Sequence, residues 1–210
     1  TQDDKQAVYW FKKAAEQGDV YGQSNLGLMY MHGRGVAQDP KQAVYWFEKA
    51  AKQRHTVSQN RLGGCYSRGE GIAQDLNQAV YWFKKAAERG CPSSQNSLGD
   101  CYSQGEGVAQ DDKQAVYWYE KAAEQDYVIS QNGLGDRYRE GEGVDQDHKQ
   151  ALYWYEKAAR KGRSPSSQYS LGTMYRFGRG VTQNPKQAVY WFIKAAEQGH
   201  AQAQSNLCAM

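Results

Sequence analysis

Residues 26–51, LGLMYMHGRGVAQDPKQAVYWFEKAA, decide how the chain folds, because most of these letters return at a fixed interval. Trp46 belongs to the series Trp10, Trp46, Trp82, Trp118 and Trp154, spaced by 36 residues, with Trp191 following after 37. Leu26-Gly27 recurs as Leu62-Gly63, Leu98-Gly99, Leu134-Gly135 and Leu171-Gly172. The one additional residue falls between Lys161 and Ser167, and an insertion there marks a turn. Self-similarity at this period signals a repeat architecture, whose units bury their apolar faces only by stacking on their neighbours.

Each period reads as two helices. Asp39-Pro40 and Asn184-Pro185 place a capping side chain before a proline at the first helical position, and Asp3, Asp75, Asp111 and Asp147 hold the cap position in the other copies. In the run that follows, Ala43, Trp46, Phe47, Ala50 and Ala51 form one apolar stripe at helical spacing. This is the Trp helix. It is expected to end at Gly18, Gly90, Gly162 or Gly199, where a left-handed residue terminates a helix, with Arg54 and Asp126 in that place in other copies. The second helix carries Gly22, Leu26, Tyr30 and Gly33 on one arc, with Gly27 at its edge admitting a close neighbour. It stops in Gly33-Arg34-Gly35-Val36, repeated as Gly69-Glu70-Gly71-Ile72, Gly105-Glu106-Gly107-Val108, Gly141-Glu142-Gly143-Val144 and Gly178-Arg179-Gly180-Val181. The glycines supply a tight turn, and the Val or Ile is expected to plug it into the core.

The expected fold is therefore all-α: an α/α superhelical solenoid of about six 36-residue helix-turn-helix repeats. Trp helices and Leu-Gly helices alternate over residues 1–210 as a single repeat domain, with the first and last repeats incomplete. The chain is expected to be a fragment of a longer repeat protein, whose uncapped ends offer a route to self-association.

Composition narrows the function classes. Of 210 residues, 40% are hydrophobic and 23% charged, which suits a folded chain rather than a disordered one. No apolar run reaches the length of a spanning helix, so membrane insertion is not expected. With 26 basic against 23 acidic residues, nucleic acid is not an expected partner either.

The pattern Leu-Gly-x-x-Tyr-x-x-Gly-x-Gly-Val, then Asp, then Ala-x-x-Trp and Ala-Ala, resembles the Sel-one-like repeat family, a relative of the tetratricopeptide repeats. The resemblance covers essentially the whole chain. It implies a right-handed α/α solenoid that serves as a scaffold for protein interactions, with the Leu-Gly helices lining its concave face. It also points towards a bacterial periplasmic or secreted protein, although a cytoplasmic location is equally compatible with the cysteine pattern. One departure concerns the small residue four before the Leu, usually Ala in the family. Here it is Gly22, Ser58, Ser94, Ser130, Ser167 and only once Ala203.

Catalytic and metal-binding groups are not expected. His32, His55, His148 and His200 lie at unrelated repeat positions, so they build no paired metal ligands, and neither a metal nor a cofactor is expected. Cys65 and Cys101 sit one repeat apart, too distant on neighbouring helices for an unstrained disulfide, and free, mostly buried thiols are the expectation. The regular cysteine pair of cysteine-rich bacterial members is absent. The Gly-x-Gly turns lack the Lys-Ser/Thr ending of a phosphate loop, and no nucleophile sits beside a base.

What remains is surface. On a helical wheel, the residues two before the Leu, and two, five and six after it, fall away from the Leu/Tyr arc and are expected to face the groove. They include Asn60, Asn96 and Asn132 as a carboxamide ladder for an extended peptide, together with Asp100 and Asp136. Arg68, Arg139 and Arg176 would grip carboxylates, and Tyr169 and Phe177 would serve as aromatic anchors. A rival surface is the row Tyr9, Tyr45, Tyr81, Tyr117, Tyr153 and Tyr190, each with a lysine four residues later. There each ring is expected to lie under its own lysine on a solvated face. The leading functional expectation is a non-catalytic adaptor that binds a protein or peptide partner in its groove. The alternatives are a self-assembly module and, more weakly and from the resemblance alone, an envelope enzyme acting on cell-wall fragments or β-lactams.

Overall fold

The aspartate caps do start the Trp helices. A computed structural model describes residues 2–160 and 164–208. The six Trp helices are α1 (Gln2–Glu16), α3 (Pro40–Lys52), α5 (Leu76–Ala87), α7 (Asp112–Glu124), α9 (His148–Arg160) and α11 (Pro185–Glu197). They alternate with the Leu-Gly helices α2 (Val20–His32), α4 (Thr56–Arg68), α6 (Pro92–Gln104), α8 (Val128–Glu140), α10 (Pro165–Phe177) and α12 (Ala201–Cys208). No strand is present among the described residues. Asp39, Asp75, Asp111 and Asn184 each accept a hydrogen bond from the backbone three residues on, satisfying one of the orphan amides of the first turn. Asp147 accepts from the Lys149 and Gln150 backbones in the same way. Asp3 is the exception: α1 continues through it to Gln2, so it lies within the first turn rather than before it.

The chain forms two compact units, Thr1–Gln110 and Asp111–Met210. The Ala/Trp/aromatic stripes of α3 and α5 in the first unit, and of α9 and α11 in the second, pack against the Leu-Gly helices on either side of them in the chain. Ala43, Trp46, Phe47, Ala50 and Ala51 are all buried, as are Leu26, Leu62, Leu98, Leu134 and Leu171. The glycine after each leucine has a steric cause. A Cβ on Gly63 would stand 2.7 Å from the Phe83 ring, and one on Gly172 would stand 2.6 Å from Phe192. Val36, Ile72, Val108, Val144 and Val181 end half-buried, and Ile72 packs on the core around Phe47 and Leu62.

Two further devices close the repeat. Gln23, Gln59, Gln95 and Gln131 are buried, and each donates its side-chain amide to a carbonyl at the end of the preceding Trp helix, on Ala15, Ala51, Ala87 and Ala123. Each of those carbonyls also accepts from the amide three residues on, at Gly18, Arg54, Gly90 and Asp126, so the glutamine occupies the remaining lone pair of a buried oxygen. The left-handed residue after the Trp helix is Gly18, Gly90 and Gly199 where expected. Arg54 at φ 66° and Asp126 at φ 64° adopt the same conformation without glycine's freedom. Gly162, expected in this role after α9, lies outside the described residues, as does the start of the insertion between Lys161 and Ser167.

Candidate functional site

In the first unit, α2, α4 and α6 border a cavity of about 450 Å³, lined in part by Met31, His32, Phe47, Asn60, Arg61 and Arg68. A second cavity of about 350 Å³, with Leu28 and Met29 in its wall, shares His32 and Arg61 with the first. Of the expected groove residues, the larger cavity brings Asn60 and Arg68 together. Asn60 Oδ1 accepts from the Ser94 hydroxyl at 2.7 Å. Arg68 is exposed and donates to Glu70 at 3.0 Å. Asn96, on α6, is buried and donates to Asp100 at 2.9 Å.

In the second unit the corresponding residues form a closed network. Asn132 donates to Asp136 at 3.2 Å and accepts from the Ser167 hydroxyl at 2.6 Å. Asp136 also accepts from the Tyr155 hydroxyl at 2.7 Å and pairs with Arg139 at 3.2 Å. Burial first, and then the Asp136 carboxylate, push the Tyr155 hydroxyl far above the ordinary phenol range, so it stays a donor at any physiological pH. Arg139 is further held by Glu140 at 2.8 Å. Tyr169 stacks on His200 with centroids 4.7 Å apart, and Arg176 reaches Asn206 at 3.4 Å. Phe177 is 59% exposed and is flanked by the Arg176 and Arg179 guanidinium groups, each 5.5 Å from its ring.

Asn60 and Asn132 of the carboxamide ladder thus spend their oxygens on neighbouring Leu-Gly helices. Ser94 and Ser167, singled out only as departures from alanine, are the donors that bind Asn60 and Asn132. Four residues expected on the groove from the wheel, Ser24, Met31, Gly64 and Asn96, are buried instead, and Met31 belongs to the apolar cluster of Phe47 and Leu62. Arg61 was missed. It precedes Leu62, in a column otherwise made of Asn25, Ser97, Gly133, Ser170 and Asn206, and a single charge in an uncharged column was the available signal.

Each lysine of the Tyr/Lys row stands over its own tyrosine, at 4.7 to 6.0 Å from the ring centroid. His55 contacts the Ser58 hydroxyl at 2.9 Å, and His200 Nδ1 accepts from the Ala203 backbone at 3.3 Å. Cys65 and Cys101 are buried free thiols, pushed up to about 11 chiefly by burial, whereas Cys91 is half-buried and Cys208 exposed. No described helix is long and apolar enough to cross a membrane.

The Sel1 repeat model matches residues 1–19, 20–55, 56–91, 92–127, 128–162 and 165–200. Among solved structures, the chain is similar to c5321, a protective antigen of uropathogenic Escherichia coli strains displaying an SLR fold. The identity is 45% and the TM-score 0.94 over 97% of this chain. The chain spans 44% of the length of that protein. A Sel1 repeat protein from Oxalobacter formigenes is 30% identical with a TM-score of 0.88, over 96% of this chain and 80% of that one. Immunity protein Pa5087 from Pseudomonas aeruginosa, at 22% identity and a TM-score of 0.58 over 90% of this chain and 72% of its own, shares the fold. No curated protein matches the chain.

Proposed function

This chain belongs to the Sel1 repeat family, and from that premise we propose that it is a non-catalytic adaptor whose Leu-Gly helix face holds a peptide or protein partner. Sel1 repeat proteins are in general protein-interaction scaffolds. The observation that carries the reading is the pair of adjoining cavities along α2, α4 and α6, where apolar walls meet unspent donors. On this reading Asn60, Arg68, Asn96, Asp100, Asn132, Asp136, Arg139, Tyr169, Arg176 and Phe177 divide by role. Asn96, Asp100, Asn132, Asp136, Arg139 and Tyr169 shape the face through their mutual bonds, while Asn60, Arg68, Arg176 and Phe177 meet the partner.

Affinity selection of peptides on the folded chain tests this. Selected peptides are expected to lose binding to an Arg68→Ala/Arg176→Ala/Phe177→Ala variant of unchanged helicity. Equal binding by the variant would remove the face as the binding surface.

A further inference from the structure

Most arginines of the Leu-Gly helices and their turns are paired with carboxylates, and Arg176 instead reaches the Asn206 amide oxygen at 3.4 Å and lies over Phe177. Arg34 pairs with Asp4 at 3.2 Å and Arg68 with Glu70 at 3.0 Å. Arg137 pairs with Asp112 and Glu142, and Arg139 with Asp136 and Glu140. Arg61 has no ion pair and no hydrogen bond among the described residues, and its Nε is fully buried without a partner. Its guanidinium lies 5.9 Å from the centroid of the Phe47 ring, which positions the group without satisfying its donors.

The setting is short of acceptors. Arg61 lies between the two cavities and lines both. Around it are Asn60, whose oxygen is spent on Ser94 while its amide N–H groups remain open, and His32. The only carboxylate among the described residues lining the larger cavity is Glu70, already paired with Arg68. Where α6 and α8 carry Asp100 and Asp136, α4 carries Gly64, so this copy lacks the acid that occupies the same register elsewhere. Arg61 is half-buried and its enclosed Nε has no acceptor, which is unfavourable, and desolvation draws its pKa down from the usual arginine value. An acid supplied from outside would pair with the terminal Nη donors rather than with the enclosed Nε, and would offset the cost of holding the charge there.

We propose that Arg61, with the Asn60 amide beside it, is a subsite for the carboxylate of an Asp or Glu side chain on a partner peptide. The neighbouring apolar residue of that peptide sits on Leu28 and Met29 in the adjoining cavity. The two terminal Nη groups of the guanidinium fork offer a bidentate pair of N–H donors to the carboxylate, and the Phe47 ring lies 5.9 Å from the guanidinium carbon. The inference rests on the adaptor reading above and names the chemistry of its partner.

A library of random dodecapeptides fused at their C-termini, so that side chains supply the only peptide carboxylates, is the probe. Selection on the intact chain is expected to enrich peptides that share an Asp or Glu beside an apolar residue. In synthetic copies amidated at the C-terminus, changing that Glu to Gln is expected to weaken binding about tenfold or more to the wild type and to leave binding to Arg61→Gln unchanged. Arg61→Gln is expected to melt no lower than the wild type, because it removes an unpaired charge. Selected peptides without an acid, or a Glu-to-Gln penalty that persists in Arg61→Gln, would overturn the subsite. If such peptides still depended on Arg68, Arg176 and Phe177, the adaptor reading would stand without it, and if no peptide bound, both readings would fall.

Discussion

Helices α4 and α8 occupy the same register of the repeat, yet α4 leaves the Arg61 Nε without an acceptor while α8 closes its polar groups on one another. On α8, Asp136 ties together Asn132, Arg139 and Tyr155, so the face is rigid and largely self-satisfied. On α4 the same positions hold Gly64 in place of the aspartate and Arg68 in place of Arg139, and the ring over the Leu-Gly glycine is Phe83 rather than Tyr155. The ring and the acid change together along the chain. Tyr119 and Tyr155 follow the copies with Asp100 and Asp136, and Phe47, Phe83 and Phe192 follow those with Leu28, Gly64 and Thr173. A tyrosine hydroxyl buried without an acceptor is unfavourable, so the phenol appears only where a carboxylate is placed to receive it. The lesson is that the repeat keeps its apolar frame and varies its polar closure, and the proposed subsite lies where closure is missing.

The comparison is broken most strongly by what the two copies share. Gly63→Ala and Gly135→Ala each drive a methyl group into a buried ring, Phe83 or Tyr155, and each is expected to cost up to about 3 kcal/mol in urea denaturation. A loss confined to one of them would show that the two helices are not equivalent in packing. Next comes the polar difference. Tyr155→Phe is expected to lose about 1–2 kcal/mol, because Asp136 gives up its shortest bond. Phe83→Tyr alone is not expected to stabilise, whereas Phe83→Tyr combined with Gly64→Asp is expected to recover stability and to abolish acidic-peptide binding. Failure of the double variant to exceed the single one would sink the exchange of closure for binding.

A third contrast uses pH. Cys65 on α4 is matched by Arg137 on α8. Because burial pushes the native Cys65 thiol up to about 11, the unfolded chain loses the proton first. Stability from this group is complete below the ordinary thiol range and declines as pH rises from about 8.5 towards the native value. The effect is on the order of 1 kcal/mol near pH 9. Cys65→Ala should flatten that decline, and an unchanged profile would refute the assignment. The smallest effect concerns a turn common to both units. Arg54→Gly and Asp126→Gly are each expected to raise stability by about 0.5–1 kcal/mol, since a side chain at positive φ is strained where glycine is not. A loss in either would mean that its side chain contributes more than its backbone costs.

Much of the frame was legible beforehand, and for a reason visible in particular residues. The caps Asp39, Asp75 and Asp111 act on amides three residues away, and the left-handed turn at Arg54 follows from its place after the Trp helix. Such effects are local, so spacing reveals them. The candidate site was read less well. Asn132, Asp136 and Arg139 were expected as ligand contacts, and their types were apt for that, but the structure engages them with one another and with Tyr155 and Ser167. Arg61 went unnoticed because a lone arginine on a helix ordinarily finds a carboxylate, and only the absence of one nearby makes it informative.

The sequence by itself determined the repeat, the helix ends and the apolar stripe, all of which depend on residues within one or two turns of each other. Tertiary structure decided which polar groups are spent and which are open. Ser94 meets Asn60 from 34 residues away, Ser167 meets Asn132 from 35, and Tyr155 reaches Asp136 from 19. Whether a donor has an acceptor at hydrogen-bond distance is settled only once neighbouring helices are packed, and so it is packing that leaves Arg61 waiting for an acid.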